Sequence, residues 1–313
     1  MKRKIVKHGK STLTVSLPSR WIDSMGIAKG DEVDVRQSGS SLCISSAYKP
    51  KKSRIEIDLS LAGRMIPRMM AAVYVAGFDE ARIHFSSPEE LAMIQDTVYK
   101  YCHEYELINI SNGVIEVKSI ASLYPKFYEQ MLRKSAQATL NIARETFAAI
   151  KKQDKKELSS LILKDKIVDR YCAFGGRIIN KGFDVGITQP GPLYFVHNQT
   201  EILADIFKVI SSEFIRWDGV MDLEQLELFE ETIELMEKVY DLLFGFSMDK
   251  VHDLAHAETN MRERIDHVAQ EPKGNMKIFA YLINLFETCF EMKSAIMVLH
   301  LGKEAERMEN QKI

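Results

Sequence analysis

The chain has 313 residues, 46% of them hydrophobic, enough for a sizeable core spread over two or three domains. No uninterrupted apolar run approaches the ~18 residues of a membrane-crossing helix; the best stretch, 65–77, is broken by Arg68. The formal net charge of −2 hides a split, since Met1 to Arg54 carries 12 Lys and Arg against 4 Asp and Glu and the remainder 30 against 40, a basic head expected to meet a polyanion on an acidic body expected to meet cations or nothing.

The basic N-terminus is followed by no apolar segment of signal-peptide type. Cys43, Cys102, Cys172 and Cys289 are scattered and form no CxxC pair. They predict buried free thiols in a reducing cytoplasm.

In chain order, residues 1–47 read as short strands and turns. Lys4 to His8 is a strand, Gly9-Lys10-Ser11 a turn, and Leu13 to Leu17 an alternating β-rich run. Pro18 opens a short helix through Arg20, Trp21 and Ile22. A turn-rich link through Gly26 and Gly30 leads to strands at Glu32–Arg36 and Leu42–Ile44, around Ser38-Gly39-Ser40. About 45 residues bury little surface alone, so such a unit favours obligate dimers. Lys2, Arg3, Lys4, Lys7, Lys10 and Arg20 all precede the first acid, Asp23. Such a cluster suits sequence-independent phosphate contact, against the plainer reading of a solvated basic terminus.

Tyr48 to Ser53, with Pro50 and three lysines, reads as a linker. Residues 54–118 then alternate: strand at Arg54–Asp58, helix at Leu61–Ala76, strand at Ala81–Phe85, and helix from Pro88 to about His103. A hairpin of Leu107–Ile110 and Val114–Val117 follows, around Asn112-Gly113. This order predicts a small α/β sandwich with no phosphate loop, nucleophile elbow or metal spacing, and a rigid spacer or dimerisation unit is its plainest role.

From about residue 119 the periodicity is helical throughout. Six helices are expected, at about 121–151, 155–181, 193–217, 222–245, 248–269 and 275–307, in two groups of three spanning 121–217 and 222–307. The acids carry the chemistry here. Asp165 and Asp169 lie four apart on one helix face, the spacing returns at Glu201 and Asp205, and again at Glu287 and Glu291. Charges four apart are common on solvated faces. Glu201, Asp205, Glu287 and Glu291, however, are interleaved with core-type residues, where an unpaired carboxylate is expensive. Acids on facing helices are one way bundles bind metal, and oxygen-only ligands suit hard cations. At the second set, Arg262 stands where Asp165 stands in the first, leaving Asp266, Glu287 and Glu291, and an arginine facing them would pair bidentately and remove the need for a metal. Glu263 and His267 sit one residue round the helix. His252-Asp253-Leu254-Ala255-His256 copies the spacing of a zinc-protease helix, with Asp for Glu and no third ligand evident, and reads first as a solvated face.

Two resemblances follow from these residues. Lys7 to Pro18, with Gly26 to Val33, resembles the AbrB/MazE (SpoVT-like) swapped-hairpin domain over about the first 45 residues. That likeness implies a homodimer of interleaved hairpins with a basic face for DNA. Asp165 to Arg170 and Glu201 to Asp205, within residues 121–313, resemble the acidic helices of the PhoU family of phosphate-uptake regulators, built from two three-helix bundles. This second likeness implies a metal cluster (iron, zinc or magnesium) on Asp165, Asp169, Glu201 and Asp205, with a doubtful second site at Asp266, Glu287 and Glu291.

The expected fold is therefore α+β: a swapped-hairpin β domain, a small α/β domain, and an all-α pair of three-helix bundles. The expected function is that of a cytoplasmic, non-enzymatic DNA-binding regulator of phosphate uptake. The alternatives are an accessory regulator that docks on a phosphate transporter or a signalling protein, and a carboxylate-bridged di-iron oxidase. The last wants two Glu-x-x-His motifs, and no His here follows a Glu by three.

Overall fold

The computed structural model describes residues 2–38, 41–46, 52–120, 128–181, 189–271 and 273–310. Residues 48–51 of the expected 48–53 linker, Gly39 and Ser40 of the expected turn, and the expected first turns of the helix from 121 lie outside these. The chain divides into two compact units, 1–55 and 56–313.

The first unit contains two hairpins and a short helix. β1 (Ile5–His8) pairs antiparallel with β2 (Thr12–Val15), and Gly9 at φ 72° makes the turn between them. α1 (Ser19–Met25) starts behind Pro18 and closes on Gly26 in the left-handed conformation. β3 (Val33–Ser38) pairs with β4 (Ser41–Ser46). No residue before Leu59 whose burial is described is buried. The registers explain why: Ile5 faces Val15 beside Leu13 on one hairpin, and Val35 faces Ile44 beside Leu42 on the other. Each hairpin thus puts most of its apolar side chains on one face, and Ile5, Leu13, Val15, Val35 and Leu42 remain exposed there.

The second unit begins with the α/β layer. β5 (Arg54–Asp58), α2 (Ile66–Val75), β6 (Glu80–His84), α3 (Pro88–Tyr101), β7 (Tyr105–Ser111) and β8 (Val114–Ser119) give a four-stranded sheet in the order β5-β6-β8-β7. Asn112 and Gly113, both at positive φ, form the tight turn that their sequence predicts. Alternation sends Ile83, Ile115 and Val117 inward with Ile66, Met70 and Ile94 of the helices. The outer face carries Glu56, Arg82, His84 and Glu116, joined as ion pairs. The layer does not stand apart as a spacer, because α2 and α3 pack on a helix of the bundle.

The remaining described chain is helical: α4 (Tyr128–Lys151), α5 (Lys155–Leu161), α6 (Asp165–Asn180), α7 (Pro190–Arg216), α8 (Leu223–Phe244), α9 (Met248–Gln270) and α10 (Met276–Asn310). Side-chain caps at Asp154, Asp222 and Ser247 satisfy the first turns of α5, α8 and α9. The helix expected over 155–181 is two helices, broken at residues 162–164. Burial of Leu158 and Leu161 turns α5 into the core, and the chain restarts at Asp165. One hydrophobic core runs through all seven helices, so the two groups share an interior along which α7 and α10 lie side by side. Among the described residues, no helix is long and apolar enough to cross a membrane.

α6 fastens the layer to the bundle. Arg177, fully buried, donates from Nη1 to the Tyr74 carbonyl at 2.7 Å and lies over the rings of Tyr74 and Tyr105, at 4.8 and 5.0 Å from their centroids. Asn180 donates to the Val75 carbonyl at 3.0 Å, and Lys181 pairs with Asp79.

Candidate functional site

Of the basic residues of the first unit, Lys2, Arg3, Lys4, Lys7, Lys10 and Arg20 are each exposed. Lys7 lies in β1, Lys10 follows in the turn, and Arg20 lies in the first turn of α1. These are free cations on a small scaffold of backbone hydrogen bonds, as phosphate contact requires.

The acidic residues converge in the second unit. Asp165 is the first residue of α6, where the free N–H groups of the turn favour a negative charge, and it is 3% exposed. Asp169 lies one turn further along. α7 supplies Glu201 and Asp205, and, three residues on, Lys208. The Lys208 ammonium lies 2.6 Å from Asp165 Oδ2 and 3.0 Å from Asp205 Oδ1. Burial pulls the pKa of Lys208 down, but its bonds to Asp165 and Asp205 outweigh that and hold it above the ordinary lysine value.

Asp169 and Glu201 face a cleft of about 250 Å³ where α2 and the end of α3 meet α6 and α7. Burial pushes the Asp169 carboxyl up to about 7, reinforced by the charges of Glu201, Asp165 and Asp205. Burial also raises Glu201, with Asp205 adding to the effect and Arg68 opposing it. Arg68 and Tyr101 close the cleft on the side of the layer. Behind it His197 is 2% exposed, its Nε2 2.6 Å from Tyr128 Oη, and burial holds it down at about 4, so it is neutral. Gly175 leaves room for that ring, because a Cβ there would stand 2.4 Å from its Cε1.

The four carboxylates do come together, yet they do not fit a metal. Lys208 fills the place where a cation would sit between Asp165 and Asp205. Asp165 Oδ1 is buried without a hydrogen-bond partner, while Asp169 and Glu201 point to the cleft with raised affinity for protons. Among the described residues, no three or more His, Cys, Asp or Glu are grouped to hold a metal ion. In this arrangement Asp165, Asp169, Glu201 and Asp205, the expected ligand set, are answered by a lysine instead. The site is a lysine-neutralised acid cluster beside a cleft.

The second set is closed by its arginine. Arg262 Nη1 donates to Glu287 Oε1 at 2.8 Å and Nη2 to Glu287 Oε2 at 3.3 Å, while its other face meets Glu258. Glu291 accepts from Gln199 Nε2 at 2.7 Å instead of joining Glu287, and Asp266 is exposed on α9. These acids are not brought to one point.

Sequence reasoning missed Lys208, Arg68, His197 and Arg177. Lys208 had a local signal, three residues after Asp205 on the same face. The others are placed by contacts between distant segments and had none.

Residues 6–56 match the family described as "Antidote-toxin recognition MazE, bacterial antitoxin". No curated protein and no solved structure matches the chain.

Proposed function

We propose that this protein is a DNA-binding transcriptional regulator of phosphate uptake, dimeric through its N-terminal unit, with the helical unit acting as a sensor of the PhoU type. The observation that carries the reading is the N-terminal unit itself. Among its residues whose burial is described none is buried, each hairpin carries exposed apolar side chains, and Lys and Arg are exposed. Two copies that interleave cover the apolar faces and double the basic surface, and the match over residues 6–56 supports that arrangement. The phosphate reading rests on the likeness of α6 and α7 to the acidic helices of the PhoU family. The cleft at Asp169 and Glu201 is the natural place for a signal to act, because it joins the α/β layer to the bundle.

If about six phosphates are contacted per dimer, log K for duplex DNA falls against log salt with a slope of roughly −5. Fluorescence anisotropy across a salt series measures it. Replacing Lys4, Lys7 and Lys10 by Ala flattens the slope without changing the dimer. A dimer that binds no fragment of a genomic pool at low salt rejects the DNA reading and leaves that of a transporter-docked accessory regulator.

A further inference from the structure

α9 carries a pair of histidines that neither the core nor the acid cluster uses. α9 is held to its neighbours on a narrow stripe, with Leu254, Met261 and Val268 its only buried residues, seven apart. Its opposite face is open. On it His252 and His256, both exposed, turn toward each other until their Nε2 atoms lie 3.1 Å apart, with ring planes 80° apart and centroids at 4.4 Å. Among the described residues, neither ring has another hydrogen-bond, ion-pair or ring partner. Two exposed imidazoles gain little from a mutual hydrogen bond over bonds to water.

We propose that His252 and His256 form a chelating site for a borderline transition-metal dication such as Zn²⁺, Ni²⁺ or Cu²⁺. A metal about 2.05 Å from each nitrogen, with the nitrogens 3.1 Å apart, subtends about 98° at the metal. That lies between octahedral and tetrahedral angles, so both rings bind with little movement. Imidazole donors select Zn²⁺, Ni²⁺ and Cu²⁺ over Mg²⁺ and Ca²⁺. Each Nε2 binds through its lone pair, so each ring carries its proton on Nδ1 and any proton on Nε2 is released to solvent. The pair opens onto a hollow of about 390 Å³ that Asp241 and Asp253 also line, with room for water to complete the shell. Of the nearby cations, Lys250 is already committed to Asp241, at 2.8 Å to its carboxylate and 3.2 Å to its carbonyl. The site has two protein ligands and open positions, so it binds in the micromolar range and exchanges its metal. Its structural effect is to staple one turn of the most open helix of the bundle.

The test uses the full chain freed of metal with a chelator. Zn²⁺ titrated at neutral pH and followed by calorimetry is expected to fill one site per chain, with 10 mM Mg²⁺ failing to compete. His252→Ala and His256→Ala each weaken that site at least about tenfold. Asp165→Asn with Asp205→Asn leaves it unchanged. In hydrogen exchange, Zn²⁺ slows the amides of the first half of α9 in the native chain and not in either alanine variant. No saturable Zn²⁺ binding, a site that survives both alanine substitutions, or displacement by Mg²⁺ overturns the proposal.

Discussion

In the N-terminal unit Ile5, Leu13, Val35 and Leu42 stand 56–69% exposed, whereas Phe207, Phe229 and Phe286 of the helical unit are at 0%. Both units contain enough apolar residues to want a core. They differ in what a single chain can do about it. Seven helices wrap a shared interior, and even their misfit charges are matched internally, Asp165 by Lys208 and Glu287 by Arg262. Two hairpins of four- and six-residue strands have no layer to close on, and their cations are left in solvent. The contrast separates a unit that covers its apolar side chains within one chain from a unit that, as one chain, leaves them exposed. The sharpest ways to break it are substitutions that remove what each unit uses to cover itself.

The largest effect is expected at the open hairpin faces. Leu13→Asp with Val35→Asp places two charges on the faces that the proposed dimer would cover. Full burial of a side chain of this size contributes about 1.5–3 kcal/mol, so losing two raises the dimer dissociation constant by a hundredfold or more. Sedimentation velocity reads this directly, and circular dichroism shows the helical unit unchanged. Retention of a tight dimer would mean that the copies meet elsewhere.

The next effect lies in the acid cluster. Lys208→Met leaves Asp165 buried beside three other carboxylates. Removing one partner of a buried pair costs about 3–5 kcal/mol, and about half that here because the lysine is 41% exposed. Adding Asp165→Asn restores most of the loss, since the remaining group no longer carries a charge. Urea unfolding of the three proteins checks it. The vacated place also becomes a cation site, so millimolar Mg²⁺ or Mn²⁺ stabilises Lys208→Met and not the native chain. Equal behaviour of both toward the cations would remove lysine from its role as the counter-charge.

Much of this comparison was legible in the residues themselves. The hairpins, the Asn112-Gly113 turn, the β-α-β-α-β-β order and the helical half follow from period and turn chemistry, which act over a few residues. The acid pairs were legible too, because four-residue spacing survives folding. What was not legible was the answer to their charge. Period-based reading treats 155–181 as continuous, but the bend at 162–164 puts Asp165 at a helix start. It also could not see Arg68 of α2 and Tyr101 of α3 arriving at the same cleft, or Arg177 seated between Tyr74 and Tyr105. Those contacts join segments that in the longest cases lie more than a hundred residues apart and are set by packing, which has no local period.

The smallest effect concerns the seam between the α/β layer and the bundle. Glu104 sits there at φ 74°, with Oε2 buried and unpaired. Burial raises its carboxyl from 4.5 to about 7, against the opposing pull of Arg177 and Lys181. An acid raised in the folded state holds its proton after the unfolded chain has released it. Glu104 therefore favours folding below pH 4.5, and that contribution is lost progressively as pH rises to about 7. Asp169 acts with the same sign over the same window. Glu104 is only half-buried, so water screens the effect to under about 1 kcal/mol. Glu104→Gln keeps the shape and removes the titration, so its loss of stability between pH 5 and pH 8 should be smaller than that of the native chain. Denaturant midpoints at the two pH values measure the difference. An identical drop in both proteins would mean that the Glu104 carboxyl meets solvent at the seam and is not raised by burial.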